Sequence, residues 1–157
     1  MSKPTWTTRP LEQRDWDAWC RLFKSYGEFY ESPISDDQLH RVWAWIHEDQ
    51  LIDGIAVVSE GDLSEPVGIA HLRSWVRPAR GEIAGYLDDL FVDPRCRGRG
   101  AVDALFDAIG VLASERDWSI VRWTTADDNY RARAAYDRVA TRTGWITYEL
   151  AVSVAGD

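Results

Sequence analysis

Apolar residues in the N-terminal third of the chain recur with the period of an α-helix. One set predicts an amphipathic helix that ends near Tyr26, and its members are Trp16, Trp19, Cys20 and Phe23. A second helix is predicted behind the capping-box sequence at positions 35–38. Its apolar face comprises Leu39, Val42, Trp43 and Ile46. A short extended segment at 6–11 precedes both helices.

Beyond the second helix the pattern changes to the shorter runs that are typical of β-strands. Strands are predicted at about 54–60, 67–76 and 83–93, with turn-forming residues between them at 61–62 and 78–81. Consecutive strands joined by short turns usually pair with each other, so these three predict an antiparallel meander.

The rest of the chain alternates between helices and strands. A glycine-containing segment leads into a helix whose apolar face comprises Val102, Leu105, Phe106, Ile109, Leu112 and Ala113. A strand at about 119–125 precedes a helix with Ala132, Ala135, Tyr136 and Val139 on one face, and a last strand is predicted at 145–152. This order predicts an α+β fold with a mixed sheet and helices on its faces. The length fits a single domain over 1–157.

Charge and composition narrow the partners. Eighteen Lys and Arg against 26 Asp and Glu give a net charge of −8, which disfavours nucleic acid and anionic membrane surfaces. No apolar run approaches the ~18–20 residues of a bilayer span, and the opening residues lack a signal-peptide core, so the cytoplasm is the expected compartment. No metal site is predicted, because His40 and His47 lack the i, i+4 spacing of paired ligands and His71 is isolated.

The step from strand to helix after Pro94 concentrates hydrogen-bond donors for an anion. Gly98 and Gly100 lead into the helix, where free backbone N–H groups meet the positive end of the helix dipole. The three arginines of this segment add the positive charge that a pyrophosphate favours. The alternative is a solvated turn whose charges serve solubility. The strings of the P-loop NTPases and of the dinucleotide-binding folds are absent.

This segment resembles the GNAT superfamily of acyl-CoA-dependent N-acetyltransferases, and the likeness covers most of the chain. In that family a strand ends in Val-x-Pro, and an Arg-Gly-x-Gly-x-Gly/Ala loop then opens a helix. The resemblance implies that the CoA pyrophosphate is held by the backbone of Arg97, Gly98, Arg99, Gly100, Ala101 and Val102. Val102 stands where the family usually has Gly or Ala, and an alternative register begins the motif at Arg95. The implied fold is a mixed, mostly antiparallel central sheet flanked by helices on both faces.

Two further segments are similar to this family. Asn129 precedes a predicted helix and Tyr136 follows about two helical turns later, so both lie on one side; the resemblance implies that both contact acetyl-CoA. The strand sequence at 86–92, Tyr-Leu-Asp-Asp-Leu-Phe-Val, is similar to that of the diamine acetyltransferases. There, main-chain groups corresponding to Leu90, Phe91 and Val92 hold the pantetheine and the thioester oxygen.

Acetyl transfer to an amine needs a proton acceptor and a stabilised leaving thiolate. Asp88 stands where the diamine acetyltransferases carry Glu, so it is the predicted base, acting through a water. Asp89 is the reserve and a predicted substrate contact, since adjacent strand residues point to opposite faces and only one can line the cleft. The alternative for both is an edge carboxylate paired with an arginine. Tyr136 is predicted to hydrogen-bond the leaving sulfur, and Trp45, opposite Trp43 on its helix, to contact a cationic substrate.

Between positions 31 and 65 the acidic residues outnumber the single basic residue, Arg41. In the family this stretch borders the acceptor cleft, so a small cationic amine is the favoured acceptor. The expected function is acetyl transfer from acetyl-CoA to such an amine, by direct attack in a ternary complex and without a metal. Two alternatives remain, a non-catalytic acyl-CoA sensor and a protein lysine or N-terminal acetyltransferase. Dimers are common in the family, so a homodimer is one partner that the resemblance implies.

Overall fold

A computed structural model describes residues 4–59 and 65–154. The chain forms two compact units, Met1–Thr124 and Thr125–Asp157. The first unit contains β1 (Trp6–Pro10), α1 (Trp16–Phe29), α2 (Asp36–His47), β2 (Asp53–Ser59), β3 (Gly68–Arg77), β4 (Glu82–Val92), α3 (Ala101–Glu115) and β5 (Val121–Arg122). The second unit contains α4 (Tyr130–Val139). The predicted helices and the first four predicted strands are confirmed within a few residues, although position 60 lies outside the described residues.

The first unit is built on one five-stranded sheet in the order β1-β2-β3-β4-β5. The first four strands are antiparallel to their neighbours, and β5 runs parallel to β4. This confirms the mixed, mostly antiparallel sheet. The strand predicted at 119–125 is shorter in the structure, because β5 pairs with β4 only where Gly85 meets Val121 and Tyr86 meets Arg122.

Two apolar cores lie on opposite faces of this sheet. On one face, Leu105 and Ile109 of α3 belong to the same apolar cluster as Leu72 and Leu87 of the sheet. This cluster is the α3-side core. On the other face, α1 and α2 cover a second cluster, the α1-side core. Its buried members are Leu11, Trp19, Leu22, Phe23, Leu39, Ala56, Ile69 and Phe91. The helices α1, α2 and α3 therefore bury apolar residues against the sheet, and the prediction of helices on both faces is confirmed.

A β-bulge interrupts the ladder between β3 and β4. His71 pairs with Asp89, but the next residue of β3, Leu72, pairs with Leu87. Asp88 is therefore the extra residue on β4, and no residue of β3 pairs with it. A bulge bends its strand and reverses the alternation of side chains beyond it, so the faces of β4 cannot be assigned by counting alone.

The predicted strand at 145–152 is wrong. In the second unit the described residues after α4, 141–154, form no strand. Their apolar side chains are exposed, including Ile146, Tyr148, Leu150 and Val152. Alternating apolar residues give a segment the propensity to be a strand, but a strand also needs a neighbour for its backbone hydrogen bonds, and this unit contains no other strand among its described residues.

None of the helices in the described residues has the length and apolar character needed to cross a bilayer.

Candidate functional site

The glycine loop between β4 and α3 has the backbone conformation that its glycines permit. Gly98 and Gly100 both adopt the left-handed region, with φ of 71° and 95°. A side chain is disfavoured at such angles, which explains why glycine recurs at these two positions. The helix begins directly afterwards, at Ala101.

The start of α3 presents unpaired main-chain donors. Ala104 makes the first intrahelical bond, its N–H donating to the Gly100 carbonyl at 3.0 Å. The amides of Ala101 and Val102 precede that bond, and Gly100 has no side chain with which to cap them. The side chain of Val102 packs against the α3-side core. The helix start therefore has main-chain donors of the kind that bind an anion, and the pyrophosphate contact itself stays a prediction.

Side chains fix the loop to the strands around it. The Asp93 carboxylate accepts hydrogen bonds from the Arg95 backbone N–H (2.9 Å) and guanidinium (2.7 Å), and this ion pair holds the pKa of Asp93 below its usual value. Arg97 donates from Nε to the Val92 carbonyl at 2.9 Å. Trp6 of β1 donates from Nε1 to the Arg99 carbonyl at 2.8 Å. The loop is thus anchored at both ends by contacts that leave its glycines clear.

A cavity of about 520 Å³ adjoins the loop on the side of α1. Its lining includes Trp6, Arg21, Phe91, Asp93, Arg95 and Arg99. Sequence reasoning missed this cavity, because it forms where one edge of the sheet, made by β1 to β4, meets α1, and no local pattern marks it.

Main-chain groups in the second half of β4 face two different neighbours. The Asp93 N–H donates to the carbonyl of Val67, just before β3, at 2.8 Å. In an antiparallel ladder every second residue directs its N–H to the same neighbour, so the Phe91 amide faces β3 as well. Leu90 and Val92 direct their amides to the opposite side, where pairing with β5 has already ended. Of the three predicted main-chain contacts, the amides of Leu90 and Val92 are therefore open in the sense that no strand of the described residues pairs with them, and Phe91 directs its amide to β3.

Asp88 and Asp89 lie on the same face of the sheet, which corrects the expectation that only one of them can line a cleft. Asp88 accepts a hydrogen bond from Arg73 Nε at 2.9 Å, and Asp89 accepts one from His71 Nδ1, also at 2.9 Å. His71 and Arg73 are two residues apart on β3 and share a face, so their partners share it too. The physical reason is the bulge at Asp88, which places two consecutive side chains on one side.

The two carboxylates of this acidic pair differ in their surroundings. Burial raises the pKa of Asp88, and the Arg73 guanidinium opposes that shift without cancelling it; the Asp89 charge adds to it. The Asp88 side chain remains 31% exposed. The alternative of an edge carboxylate paired with an arginine is thus realised at Asp88, whose raised pKa also makes it a better proton acceptor.

A buried relay holds the second carboxylate and was missed from the sequence. The Trp19 indole N–H donates to His71 Nε2 at 2.8 Å inside the α1-side core. An indole nitrogen can only donate, so Nε2 of His71 is the acceptor and Nδ1 carries the proton that bonds Asp89. This relay of Trp19, His71 and Asp89 fixes the orientation of the Asp89 carboxylate. Its sequence signal was the position of His71 on the inward face of a predicted strand.

The acidic excess at 31–65 is smaller in three dimensions than along the chain. Asp36 pairs with Lys24 at 2.8 Å, and Asp53 pairs with Arg116. A further acidic side chain of this stretch, that of Glu65, pairs with Arg21 at 2.8 Å. Counting charges along the sequence overlooks partners that come from other segments, so the excess is weak support for a cationic acceptor.

The remaining predicted residues lie on helices. Trp45 is half-buried on α2, while Trp43 packs in the α1-side core. In the second unit Asn129 caps α4, its side-chain oxygen accepting the Ala132 N–H at 3.3 Å. Tyr136 is half-buried on α4. The substrate contact of Trp45 and the cosubstrate contacts of Asn129 and Tyr136 stay predictions.

Among residues 4–59 and 65–154, no three His, Cys, Asp or Glu side chains gather in the way that a metal ion needs.

Comparison with known proteins shows that this chain is similar to acetyltransferases. Over 141 residues the chain is 25% identical to a D-amino-acid N-acetyltransferase of Saccharomyces cerevisiae, HPA3, covering 90% of this chain and 88% of that protein. It shares its fold with a ribosomal-protein-alanine N-acetyltransferase from Brucella melitensis (TM-score 0.77, 22% identity, 95% and 100% of the two chains). The same holds for the aminoglycoside N-acetyltransferase AAC(6')-Iy, solved with CoA (TM-score 0.79, 15% identity, 96% and 97%).

A family model described as the acetyltransferase (GNAT) family matches residues 16–140, which include the loop, the acidic pair and α4. With that match over most of its length, the chain belongs to the GNAT family of acetyltransferases.

Proposed function

We propose that this protein transfers the acetyl group of acetyl-CoA to the primary amine of a small acceptor, whose protonated amine binds at the acidic pair Asp88 and Asp89. Family membership supports acetyl transfer to an amine. The yeast relative is named for acetylating D-amino acids and a structural neighbour for acetylating aminoglycosides, which supports a small acceptor. The single observation that carries the proposal is the bulge that presents both carboxylates on one face.

The glycine loop holds the cosubstrate. Its diphosphate binds the main-chain donors at the start of α3, next to Gly98 and Gly100. The open amides of Leu90 and Val92 bind the pantetheine arm and the thioester oxygen. Acetyl-CoA supplies the activated acyl group, and no covalent intermediate on the protein is needed, since the amine attacks the thioester directly in a ternary complex.

Asp88 removes the proton that blocks the attack. An alkyl ammonium with a pKa of ~10.4 needs about 4.6 kcal/mol to expose its lone pair at pH 7, so a nearby proton acceptor is required. Burial raises the pKa of Asp88 and makes it a stronger base than an exposed aspartate. A water relays the proton, because the Asp side chain is short, and Asp89 binds the ammonium beside it.

Tyr136 hydrogen-bonds the departing sulfur. Proton transfer from a phenol of pKa ~10 to a thiolate of pKa ~8.5 is uphill by about 2 kcal/mol, so the hydrogen bond itself is the main contribution. Tyr136→Phe is therefore expected to lower kcat by about tenfold, not to abolish activity. Tyr130→Phe, on the same helix and 73% exposed, is the matched control and should leave kcat unchanged. An equal effect of both substitutions would contradict the role of Tyr136.

The decisive experiment measures free thiol released from acetyl-CoA on addition of an amine panel. The panel contains polyamines, amino acids, aminoglycosides and a lysine peptide. Amine-dependent release that Asp88→Asn suppresses supports the proposal. Tight CoA binding without release from any amine would favour the acyl-CoA sensor, and release with the lysine peptide alone would favour a protein acetyltransferase.

A further inference from the structure

We infer that the acceptor carries a carboxylate close to its amine, and that Arg122 binds this carboxylate. The inference rests on the proposed function and narrows it from amines in general to dipolar, amino-acid-like acceptors. It also differs from the sequence-based prediction, in which the acidic excess at 31–65 favoured a cationic acceptor.

A row of side chains crosses the sheet beside the acidic pair. Tyr86 of β4 pairs with Arg73 on one side and with Arg122 of β5 on the other. The Arg73 guanidinium stacks on the Tyr86 ring at 4.7 Å, and that ring meets Trp75 edge to face at 6.1 Å. The Arg122 guanidinium stacks on Trp75 at 4.6 Å. These contacts place the row on the face that also bears Asp88.

Three arginines lie over the Tyr86 or Trp75 ring, and they differ in their partners. Arg73 is engaged by Asp88, and Arg77 by Glu82. Within residues 4–59 and 65–154, Arg122 forms no ion pair with a carboxylate, and its side chain is held by the Trp75 ring. The N–H groups of a guanidinium point outward in its own plane, so stacking on an aromatic ring leaves them available to bind a carboxylate with two parallel hydrogen bonds.

Spacing connects this arginine to the acidic pair. Neighbouring strands lie ~4.8 Å apart and alternate residues of one strand ~6.6 Å apart, so the backbone positions of Arg122 and Asp88 are separated by one strand step and one two-residue step. The Arg122 guanidinium itself lies over the Trp75 ring on the same face. An acceptor with its ammonium at Asp88 and Asp89 can direct a carboxylate toward Arg122. A polyamine would instead bring a second positive charge to an arginine that has no counter-ion among the described residues, which is unfavourable.

The test compares pairs of acceptors that differ in the carboxylate alone, namely alanine, serine and lysine against their primary amides. The wild-type protein is expected to acetylate the free acids with a kcat/KM at least about tenfold above the amides, as a charge-assisted pair provides. Arg122→Gln should remove this preference by raising KM for the acids and leaving the amides unchanged. Arg122→Lys should restore part of it. Arg80→Gln, an exposed arginine in the turn between β3 and β4, is the matched control and should keep the full preference.

The outcomes separate this inference from the proposed function. Equal rates for acids and amides in the wild type, or an unchanged preference in Arg122→Gln, would overturn the carboxylate site while acetyl transfer stands. Acetylation of polyamines or aminoglycosides but of none of these acids would likewise overturn the carboxylate site alone. No thiol release from any acid, any amide or any other member of the amine panel would overturn the proposed function itself. Circular dichroism and thermal melting of each variant confirm that the sheet is intact before rates are compared.

Discussion

The glycine loop and the acidic pair are neighbours along the chain but are built in opposite ways. The loop offers main-chain donors, and its conformation depends on Gly98 and Gly100 adopting positive φ. The acidic pair offers side chains, and its geometry depends on the bulge and on partners from β3. A site made of backbone is thus determined by a few local residues, whereas a site made of side chains depends on the register of distant strands.

The largest effect is expected at Asp88, the proposed base in the side-chain site. Asp88→Asn should lower kcat/KM by about 100-fold or more, as loss of a general base does, while leaving CoA affinity unchanged. Asp107→Asn, an exposed aspartate on α3, is the control. Steady-state kinetics with saturating acetyl-CoA measure both. A larger loss in Asp89→Asn than in Asp88→Asn would transfer the role of base to Asp89.

A smaller effect is expected in the glycine loop. Two glycines with similar φ, one inside the loop and one outside it, separate the effect on CoA binding from the effect of backbone strain on stability. Gly98 and Gly81 have φ of 71° and 63°, and an added Cβ would meet no atom within 4 Å at either position. Each change to Ala should therefore reduce the free energy of unfolding by about 1 kcal/mol. Only Gly98→Ala should also weaken CoA binding, by about tenfold, because the amides are redirected.

Calorimetric titration with CoA and chemical unfolding measure the two quantities separately. Equal CoA affinity in the two glycine variants would show that the loop does not hold the diphosphate.

The smallest effect is a shift along the pH axis. Burial raises the pKa of Asp88, and Arg73 opposes that shift by stabilising the charged form. Arg73→Gln removes this opposition, so the pKa of Asp88 rises further and the carboxylate is deprotonated only at higher pH. The acidic limb of the kcat/KM profile should therefore move to higher pH, whereas Arg80→Gln should leave it in place. A limb that moves to lower pH, or stays, would exclude Asp88 as the group that titrates.

Much of the fold followed from local patterns. The capping box at the start of α2 is present, with the Ser35 hydroxyl accepting the Gln38 N–H at 3.2 Å and the Gln38 side chain accepting the Ser35 N–H. The left-handed glycines and the start of α3 were likewise predictable, since both are properties of a short segment.

The rest required contacts that no segment contains. The shared face of Asp88 and Asp89 depends on one extra residue in β4, and alternation alone assigned these side chains to opposite faces. The basic partners of Asp36 and Asp53 come from α1 and from the end of α3. The local charge around segment 31–65 therefore could not be predicted by counting charges within that segment. The segment 145–152 shows the same limit, because its alternation specifies no pairing partner.

The Trp19–His71–Asp89 relay connects the proposed acceptor site to the interior of the protein through two hydrogen bonds. Its polarity is one-way, since the indole can only donate, and the imidazole must therefore present its proton outward to the carboxylate. A change in the packing of α1 that rotates Trp19 is expected to rotate the His71 imidazole and so to change the orientation of the Asp89 carboxylate. Substitutions in the core under α1, away from the proposed acceptor site, are therefore expected to change which acceptor the protein prefers.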